Sequence, residues 1–396
     1  MSVVNEKMQA LGEVRSAIRD LFEFGLQRKK EIGAENVFDF SLGNPSVPAP
    51  KEVNESIHRL LNSTDSVTLH GYTSAVGAEA VREQIAADLW ERFHAPVGKN
   101  DLYMTCGAAA SLTITLNALA TPGAETLAIA PFFPEYRVFS EAAGMKFGVV
   151  EAEPEQFQIR FDALEAAVNE RTKAIIVNSP NNPTGVIFTK ATLNRLADFL
   201  RERERIYGHP IYLIADEPYR ELVYEDVEVP FLPNLYDDTI VCYSFSKSLS
   251  LPGERIGYIA VPKNCASHDA VFAAVAGAGR ALGYVCAPSL MQRVVAECLG
   301  KTADLAVYKR NRDLLYNALT AFGYDCVHPD GAFYLFVKSL EPDAKAFAER
   351  AKKHELLLVP SDSFGCTGYV RIAYCVETAM IERSLKAFEK LMKEYQ

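Results

Sequence analysis

Three segments of the sequence place chemically useful side chains just after apolar runs. Asp216 follows the run IYLIA, Lys247 follows TIVCY, and Asn182 follows AIIV within the turn-like segment NNPTG. A carboxylate holds a positive charge, a neutral lysine amine is a nucleophile and a base, and an amide donates hydrogen bonds. Ligands bind outside the carboxyl ends of the strands in open α/β sheets. We therefore expect these three groups to converge at one edge of a sheet.

Seven β-rich runs alternate with helical patterns through the middle of the chain. They cover 102–105, 126–130, 146–150, 174–178, 211–215, 240–243 and 256–261. Several are continuous apolar runs, which is typical of strands buried on both faces of a parallel sheet. The alternation predicts an α/β fold with right-handed crossovers, in which a mostly parallel seven-stranded sheet forms a three-layer large domain.

The last third of the chain has a different pattern. Two helical segments precede three short strands, and an amphipathic helix follows them; the ranges are 289–299, 302–322, 333–337, 356–359, 369–374 and 380–395. This pattern predicts a smaller α+β domain. A helical segment at 14–32 has no strands beside it, and we expect it to pack on the small domain or on a partner subunit. The expected division is 1–44 as an arm that joins the small domain, 45–290 as the large domain and 291–396 as the small domain.

Composition excludes several classes of protein. The 396 residues include 41 basic and 51 acidic side chains, a net charge of −10, which disfavours nucleic acid as a partner. No apolar stretch is long enough to cross a membrane, and the charged N-terminal segment has no apolar signal-peptide core. The eight cysteines form no C-x-x-C pair and no cluster with histidine, so we expect reduced thiols and no metal site. A cytoplasmic enzyme is the expectation that remains.

Nine segments occur in an order and at a spacing that resemble the class I/II pyridoxal-phosphate-dependent aminotransferases, the aspartate aminotransferase superfamily of fold type I. They are SLGNP (41–45), Tyr72 with Gly77, TCGAAA (105–110), PFFPEY (131–136), NNPTG (181–185), DEPY (216–219), SFSKSLSLPGERIGY (244–258), GAFYLF (331–336) and YVRIAY (369–374). The resemblance extends over nearly the whole chain. It implies an enzyme that uses pyridoxal 5′-phosphate to move the amino group of an L-amino acid to a 2-oxo acid by a ping-pong Schiff-base mechanism.

The resemblance also assigns the catalytic residues. Lys247 is implied to form the Schiff base with the cofactor and then to move the proton from the substrate Cα. Asp216 is implied to lie beside the pyridine nitrogen, where a negative charge keeps that nitrogen protonated. Asn182 and Tyr219 match the two residues that donate hydrogen bonds to the phenolic oxygen of the cofactor.

The phosphate of the cofactor is implied to bind at the start of the helix that follows TCGAAA. Gly107 allows a close approach of the backbone, and the amides of Ala108 and Ala109 match the phosphate cradle of the family. Ser244 and Arg255 complete this cradle by resemblance. An ordinary alanine-rich helix start is the alternative interpretation of the segment.

Two aromatic positions have further implied roles. Phe133 matches the residue that stacks on the cofactor ring, although the adjacent Phe132 is an alternative and both could be core residues. Tyr72 matches a tyrosine that reaches the cofactor phosphate of the neighbouring subunit. The resemblance therefore implies a homodimer with shared active sites.

Substrate recognition is implied to depend on Arg371, which lies in a strand pattern where an arginine is unexpected. By resemblance it binds the substrate α-carboxylate, with Asn182 and the Gly43 backbone assisting; an edge-strand arginine that faces water is the alternative. Arg280 is a candidate ligand for the distal carboxylate of aspartate or glutamate, and a surface or dimer-contact arginine is its alternative. Aspartate and 2-oxoglutarate are therefore a candidate substrate pair.

A second reaction on the same fold stays open at this point. Cysteine-type C–S β-lyases share nearly all of these residues, because cofactor anchoring and Cα deprotonation are common to both reactions. Loss of a β-substituent after Cα–H cleavage gives elimination, whereas reprotonation at the cofactor gives transamination. We expect an aminotransferase, with the β-lyase as the alternative.

Overall fold

The computed structural model describes residues 3–13 and 17–396 of the chain. It divides into two compact units. The larger unit comprises Pro45–Ala306 and Asp330–Ala332, and the smaller unit comprises Met1–Asn44, Val307–Pro329 and Phe333–Gln396. The helix expected at 14–32 is present over Ala17–Ile32, and 14–16 lie outside the described residues.

The strands and helices follow one another along the chain with these bounds. The strands are β1 (Phe38–Asp39), β2 (Leu102–Thr105), β3 (Glu125–Ile129), β4 (Lys146–Val150), β5 (Thr172–Asn178), β6 (Tyr212–Asp216), β7 (Thr239–Ser244), β8 (Gly257–Ala260), β9 (Cys326–Val327), β10 (Tyr334–Lys338), β11 (Leu356–Leu357), β12 (Val359–Pro360) and β13 (Tyr369–Ala373). The helices are α1 (Glu6–Glu13), α2 (Ala17–Ile32), α3 (Lys51–Ser63), α4 (Ser66–His70), α5 (Glu79–Phe93), α6 (Ala108–Leu119), α7 (Glu135–Ala142), α8 (Phe161–Ala167), α9 (Lys190–Tyr207), α10 (Phe245–Ser248), α11 (His268–Ala281), α12 (Ser289–Glu297), α13 (Leu305–Phe322), α14 (Ala344–Lys352) and α15 (Thr378–Lys393). The boundary expected at 290 falls inside α12, which belongs to the larger unit.

The larger unit is built on a seven-stranded sheet in the order β2-β8-β7-β6-β5-β3-β4. The pairs β3–β4, β3–β5, β5–β6 and β6–β7 are parallel, whereas β8 runs antiparallel to both of its neighbours. The mostly parallel seven-stranded sheet predicted from the apolar runs is therefore confirmed.

Helices cover both faces of this sheet. Along β5, Ile175 and Val177 belong to one apolar cluster, whereas Ala174 and Ile176 belong to another. Helix α9 contributes its leucines to the first cluster, and α6 contributes its apolar residues to the second. Because alternate side chains of a strand point to opposite faces, the two clusters are two cores on either side of one sheet. This is the predicted three-layer arrangement.

The smaller unit combines an antiparallel sheet with helices from both ends of the chain. Its four-stranded sheet has the order β12-β13-β10-β9, and β1 pairs with β11 in a separate parallel ribbon. Leu21 of α2 packs in an apolar cluster with Leu357, Val359 and Phe364. Helix α2 therefore packs on the smaller unit, which is one of the two positions expected for the helical segment at 14–32.

Two further features concern the cysteines and the length and polarity of the helices. All eight cysteines lie within it and are free thiols. Within residues 3–13 and 17–396, the helices are too short or too polar to cross a membrane.

Candidate active site

The carboxyl ends of three parallel strands lie side by side in the larger unit. The last residue of β5, Asn178, is in register with Asp216 at the end of β6, and Asp216 is in register with Cys242 of β7. Strand β7 continues to Ser244, and α10 with Lys247 follows at once. The sheet therefore brings the segments with Asp216, Lys247 and Asn182 to one edge, as their positions after apolar runs predict.

The Asp216 carboxylate is buried, with 5% of the residue exposed. Its Oδ2 accepts a hydrogen bond of 2.5 Å from the phenol of Tyr136, whereas Oδ1 has no hydrogen-bond partner in the described part of the chain. Burial raises the pKa of Asp216 to about 7, although the hydrogen bond from Tyr136 acts in the opposite direction. A buried carboxylate oxygen without a partner is a site for a cationic or N–H group.

The neighbouring Glu217 is paired within the protein. Its carboxylate forms a buried ion pair with Arg220, whose guanidinium carbon lies 4.8 Å from the Tyr243 ring centroid and 5.0 Å from that of Phe231. A buried charge is stable only when it is paired and hydrogen-bonded. Glu217 is thus neutralised locally, and Asp216 is the carboxylate of DEPY that is left to meet a ligand.

Lys247 is fixed by the short helix α10. The Ser244 hydroxyl caps this helix by accepting a hydrogen bond of 3.2 Å from the amide of Ser246, and the Tyr243 hydroxyl donates to Ser248 Oγ at 3.0 Å. Lys247 itself is half-buried. These contacts hold its backbone rigidly at the same sheet edge as Asp216.

The start of α6 forms a cradle beside Arg255. Gly107 caps this helix with φ of 89°, and a Cβ atom built on it would lie 2.8 Å from Arg255 Nη2. A Cβ on Gly257 would likewise lie 3.1 Å from the Gly107 Cα atom. The first amides of the helix, from Ala108 and Ala109 onward, have no intrahelical partner and point outward with the positive end of the helix dipole. The lack of side chains at Gly107 and Gly257 thus lets the Arg255 guanidinium and the neighbouring backbone lie close to the start of α6.

Arg255 is held in place by Ser246, a residue that is not among the site residues predicted from the sequence. Its Nη1 donates to the carbonyl of Pro252 at 2.9 Å and to Ser246 Oγ at 3.4 Å. The hydroxyls of Ser244 and Ser246 are themselves 2.8 Å apart. Ser246 thus connects the other two polar residues of the cradle, and its place between Ser244 and Lys247 in SFSK is the signal that could have revealed it.

Asn182 and Tyr219 lie in the two turns that follow β5 and β6, and both are buried. The amide N–H of Asn182 donates to Asn178 Oδ1 at 2.8 Å. In the same turn, the side chain and the amide of Thr184 both donate to Asn181 Oδ1. The turn chemistry of NNPTG therefore orders the segment that carries Asn182.

The two phenylalanines of PFFPEY have different surroundings. Phe132 is buried in the core cluster around α6, where its ring packs edge-on against Phe147. Phe133 is only partly buried, and its ring stands edge-on to Tyr136, with the ring centroids 5.7 Å apart. Phe132 also neighbours Tyr136, with the ring centroids 6.5 Å apart, so the difference between the two is burial, and the less buried Phe133 is the one that is available to the site.

Arg371 lies in the smaller unit, on the interior strand β13 between β12 and β10. Only 2% of it is exposed, and its Nη2 donates to the carbonyl of Ser41 at 2.6 Å. The Tyr334 and Phe364 ring centroids lie 4.6 and 5.2 Å from its guanidinium carbon. The alternative of an edge-strand arginine facing water is therefore wrong. At Gly43, a Cβ atom would collide with the Tyr334 hydroxyl, so that position has to be glycine.

Tyr72 and Arg280 are not brought to the other candidate residues. Tyr72 is 98% exposed in the loop after α4, and Arg280 is exposed in the last turn of α11. In the part of the chain that the structure describes, neither side chain contacts the residues around Asp216 and Lys247. Their predicted roles therefore depend on a partner subunit or on other contacts.

The groups in the larger unit fit pyridoxal 5′-phosphate. The partnerless Oδ1 of Asp216 matches a protonated ring nitrogen, and the Arg255 guanidinium close to the first turn of α6 matches a phosphate at a helix N-terminus. Lys247 supplies an amine for the aldehyde. Asn182 and Tyr219 are buried polar residues of the turns that follow β5 and β6.

Comparison with known proteins adds independent findings. The family model described as aminotransferase class I and II matches residues 35–388. The aromatic-amino-acid aminotransferase 2 of Thermococcus litoralis is 28% identical and covers 96% of both chains. An aminotransferase structure from Eubacterium rectale has a TM-score of 0.98 with 54% identity over 100% of both chains. The aspartate aminotransferase of Thermus thermophilus with maleate has a TM-score of 0.87 with 26% identity, covering 99% of this chain and 100% of that one.

Proposed function

Because the chain belongs to the class I and II aminotransferase family and is a pyridoxal-phosphate-dependent aminotransferase, we propose how its residues divide the reaction and which substrates it takes. Bound pyridoxal 5′-phosphate supplies an aldehyde that condenses with amines and a ring that accepts the electron pair released at Cα. The observation that carries the proposal is the buried Oδ1 of Asp216, partnerless in the described chain, at the same sheet edge as Lys247.

Lys247 is the base and acid of the reaction in this proposal. A neutral lysine amine takes a proton from carbon and, once charged, returns it to a second carbon within reach. The capped helix α10 fixes the backbone of Lys247. The same amine can therefore take the proton from the first carbon and deliver it to the second. Lys247→Ala therefore removes the proton transfer as well as the covalent attachment of the cofactor.

Asp216, Asn182 and Tyr219 set the electronic state of the cofactor ring. The Asp216 carboxylate holds a proton on the ring nitrogen, because an opposite charge favours the charged form of its partner. Asn182 and Tyr219 donate hydrogen bonds to the phenolic oxygen at the other side of the ring. Their burial next to β5 and β6 supports both roles.

The remaining contacts to the cofactor come from the cradle and from Phe133. The Ala108 and Ala109 amides, the Ser244 hydroxyl and the Arg255 guanidinium bind the phosphate, and Gly107 allows the backbone to approach it closely. Phe133 stacks on the ring. The Gly107 geometry and the part-buried position of Phe133 support these assignments.

Arg371 binds the α-carboxylate of the substrate, with the Gly43 backbone and Asn182 assisting. A buried guanidinium with its planar fork pairs with a carboxylate through two parallel hydrogen bonds. Aspartate and 2-oxoglutarate are the substrate pair that we propose, with Arg280 binding the distal carboxylate. The Thermus thermophilus relative, an aspartate aminotransferase with the dicarboxylate maleate, supports this choice.

A homodimer with shared active sites completes the proposal. Tyr72 is exposed, as are Val67 and Leu61 at 83% and 50%. Exposed apolar side chains suit contact with a second copy of the chain, whose cofactor phosphate Tyr72 would reach. We place the enzyme in the cytoplasm, a location that its eight free thiols support.

A panel of half-reactions tests the function. The cofactor-loaded enzyme is mixed with single amino acids, and conversion of the cofactor to its pyridoxamine form is followed by absorbance. We expect conversion with aspartate and glutamate, none with Lys247→Ala, and a selective loss for dicarboxylates in Arg280→Ala. Conversion by other donors alone would reject the dicarboxylate pair. Release of pyruvate and ammonia from a β-substituted donor, without the pyridoxamine form, would identify a C–S β-lyase instead.

A further inference from the structure

Asn178 connects the two segments that carry Asp216 and Asn182. It is the last residue of β5, it is 5% exposed, and its Cα is in register with that of Asp216. Its Nδ2 donates to the carbonyl oxygen of Asp216 at 2.8 Å, and its Oδ1 accepts from the amide N–H of Asn182 at 2.8 Å. One side-chain amide thus spans the gap between the end of β6 and the turn after β5.

The two contacts require both halves of an amide group. Asparagine presents a donor and an acceptor on one planar group, whereas aspartate lacks the donor and apolar residues lack both. An aspartate here would place a negative oxygen against the Asp216 carbonyl, and an alanine would leave a buried carbonyl and a buried N–H without partners. The arrangement therefore specifies asparagine at this position by its chemistry.

We propose that Asn178 is a positioning residue that fixes the separation between the Asp216 carboxylate and the Asn182 side chain. This rests on the proposed function, in which those two groups contact opposite sides of the cofactor ring. Since both polar atoms of the Asn178 side chain bond to backbone groups, it acts by holding the backbones from which the two contacts project. A change in that separation tilts the ring and moves the substrate Cα relative to Lys247, so the chemical step suffers more than binding does.

The test compares Asn178→Asp, which keeps the size of the side chain, with Asn178→Ala. Both are prepared as cofactor-loaded enzymes, and the half-reaction rate, the donor concentration at half-saturation and the pH titration of cofactor absorbance are measured. We expect the rate to fall by about 10- to 100-fold in both variants, with half-saturation changed only a few-fold. The absorbance titration moves to higher pH, because a weaker hydrogen bond from Asn182 leaves the phenolic oxygen more basic.

Asn311 provides the matched control. It is also a fully buried asparagine, whose Nδ2 donates to the carbonyls of Tyr374 and Val376 and whose Oδ1 accepts from Thr378. Asn311→Asp and Asn311→Ala lower the melting temperature but leave the absorbance titration and the half-reaction rate unchanged.

Two results separate this proposal from the proposed function. If the Asn178 variants lose only thermal stability, as the Asn311 variants do, Asn178 is a structural residue and the proposal is wrong. If the wild-type enzyme converts no amino donor, the proposed function is wrong, yet the absorbance titration still shows whether Asn178 positions the ring contacts. Should Asn178→Ala prove insoluble, the nearly isosteric Asn178→Asp still decides between the two outcomes.

Discussion

The phenol of Tyr136 donates a 2.5 Å hydrogen bond to one oxygen of the Asp216 carboxylate and leaves the other oxygen without a partner in the described chain. Tyr136 is itself fully buried at the start of α7, and burial raises its pKa well above the usual range, so it stays a neutral donor. The hydrogen bond from Tyr136 thus orients the Asp216 carboxylate and fixes the direction in which Oδ1 points.

Tyr136→Phe removes this hydrogen bond and preserves the ring. Because the bond favours the carboxylate form, its loss raises the pKa of Asp216, which burial already raises to about 7 in the cofactor-free protein. A hydrogen bond to a charged group is worth about 1.5–3 kcal/mol, so we expect the acidic limb of the rate profile to move up by about 1 to 2 pH units. Half-reaction rates measured between about pH 6 and pH 9 check this, and the loss is largest at the acidic end.

Tyr236→Phe is the control for that variant. Tyr236 is a second buried tyrosine that donates to a carboxylate, Glu204 Oε1, at 2.5 Å, and it lies away from the sheet edge with Asp216. We expect Tyr236→Phe to lower stability and to leave the pH profile in place. Equal shifts of the profile in both variants would contradict a specific role for Tyr136.

Because Asp216 is buried, we expect the folding stability of the cofactor-free protein to depend on pH. Its pKa is about 7 when folded and close to the ordinary aspartate value of 3.8 when unfolded, so the folded state binds more protons between about pH 4 and pH 7. Stability from this group is therefore lost as the pH rises through that window. Asp216→Asn, which cannot ionise, gains thermal stability relative to wild type as the pH increases, by on the order of a few kcal/mol. Melting temperatures of both cofactor-free proteins at about pH 4 and pH 8 measure the effect; a constant difference would contradict it.

The sequence alone could predict the strands and the residues at their ends, but not the contacts among those residues. The runs AIIV and IYLIA are apolar throughout because β5 and β6 are covered on both faces, and this burial is visible in the residue types. The Tyr136–Asp216 contact joins residues 80 positions apart, and the Asn178–Asp216 contact depends on strand register. Neither leaves a local pattern, since each residue alone is ordinary at its position. The assignment of α12 to the larger unit likewise follows from packing that the helical pattern does not reveal.

Gly107→Ala is expected to weaken phosphate binding. The new Cβ would lie 2.8 Å from Arg255 Nη2, and the backbone at φ of 89° is strained for any residue with a side chain. We expect affinity for pyridoxal 5′-phosphate to fall about tenfold or more, which corresponds to at least about 1.4 kcal/mol. Affinity for pyridoxal, which lacks the phosphate, stays nearly constant. Equilibrium binding of the two compounds to the cofactor-free enzyme gives the comparison.

Gly123→Ala is the control that separates backbone strain at a positive φ from the contact between a new Cβ and Arg255. Gly123 has φ of 81°, and a Cβ there would have no atom within 4 Å. Both alanine variants lose a comparable amount of stability, about 1–3 kcal/mol for a residue held at such a φ. If Gly123→Ala also weakened pyridoxal 5′-phosphate relative to pyridoxal, the effect at Gly107 could not be assigned to the cradle.

Arg371→Lys retains a positive charge but removes the planar fork that lies 4.6 Å from the Tyr334 ring. A point charge cannot form the two parallel hydrogen bonds of a guanidinium with a carboxylate, so we expect donor half-saturation to rise by about 10- to 100-fold for every amino acid. The absorbance of the bound cofactor stays unchanged, because Arg371 is assigned to the substrate. Arg82→Lys is the control, since Arg82 is also buried and donates to the backbone carbonyls of Gly77 and Lys99. We expect Arg82→Lys to lower stability and to leave the donor concentration at half-saturation unchanged. An unchanged half-saturation in Arg371→Lys would reject Arg371 as the carboxylate ligand.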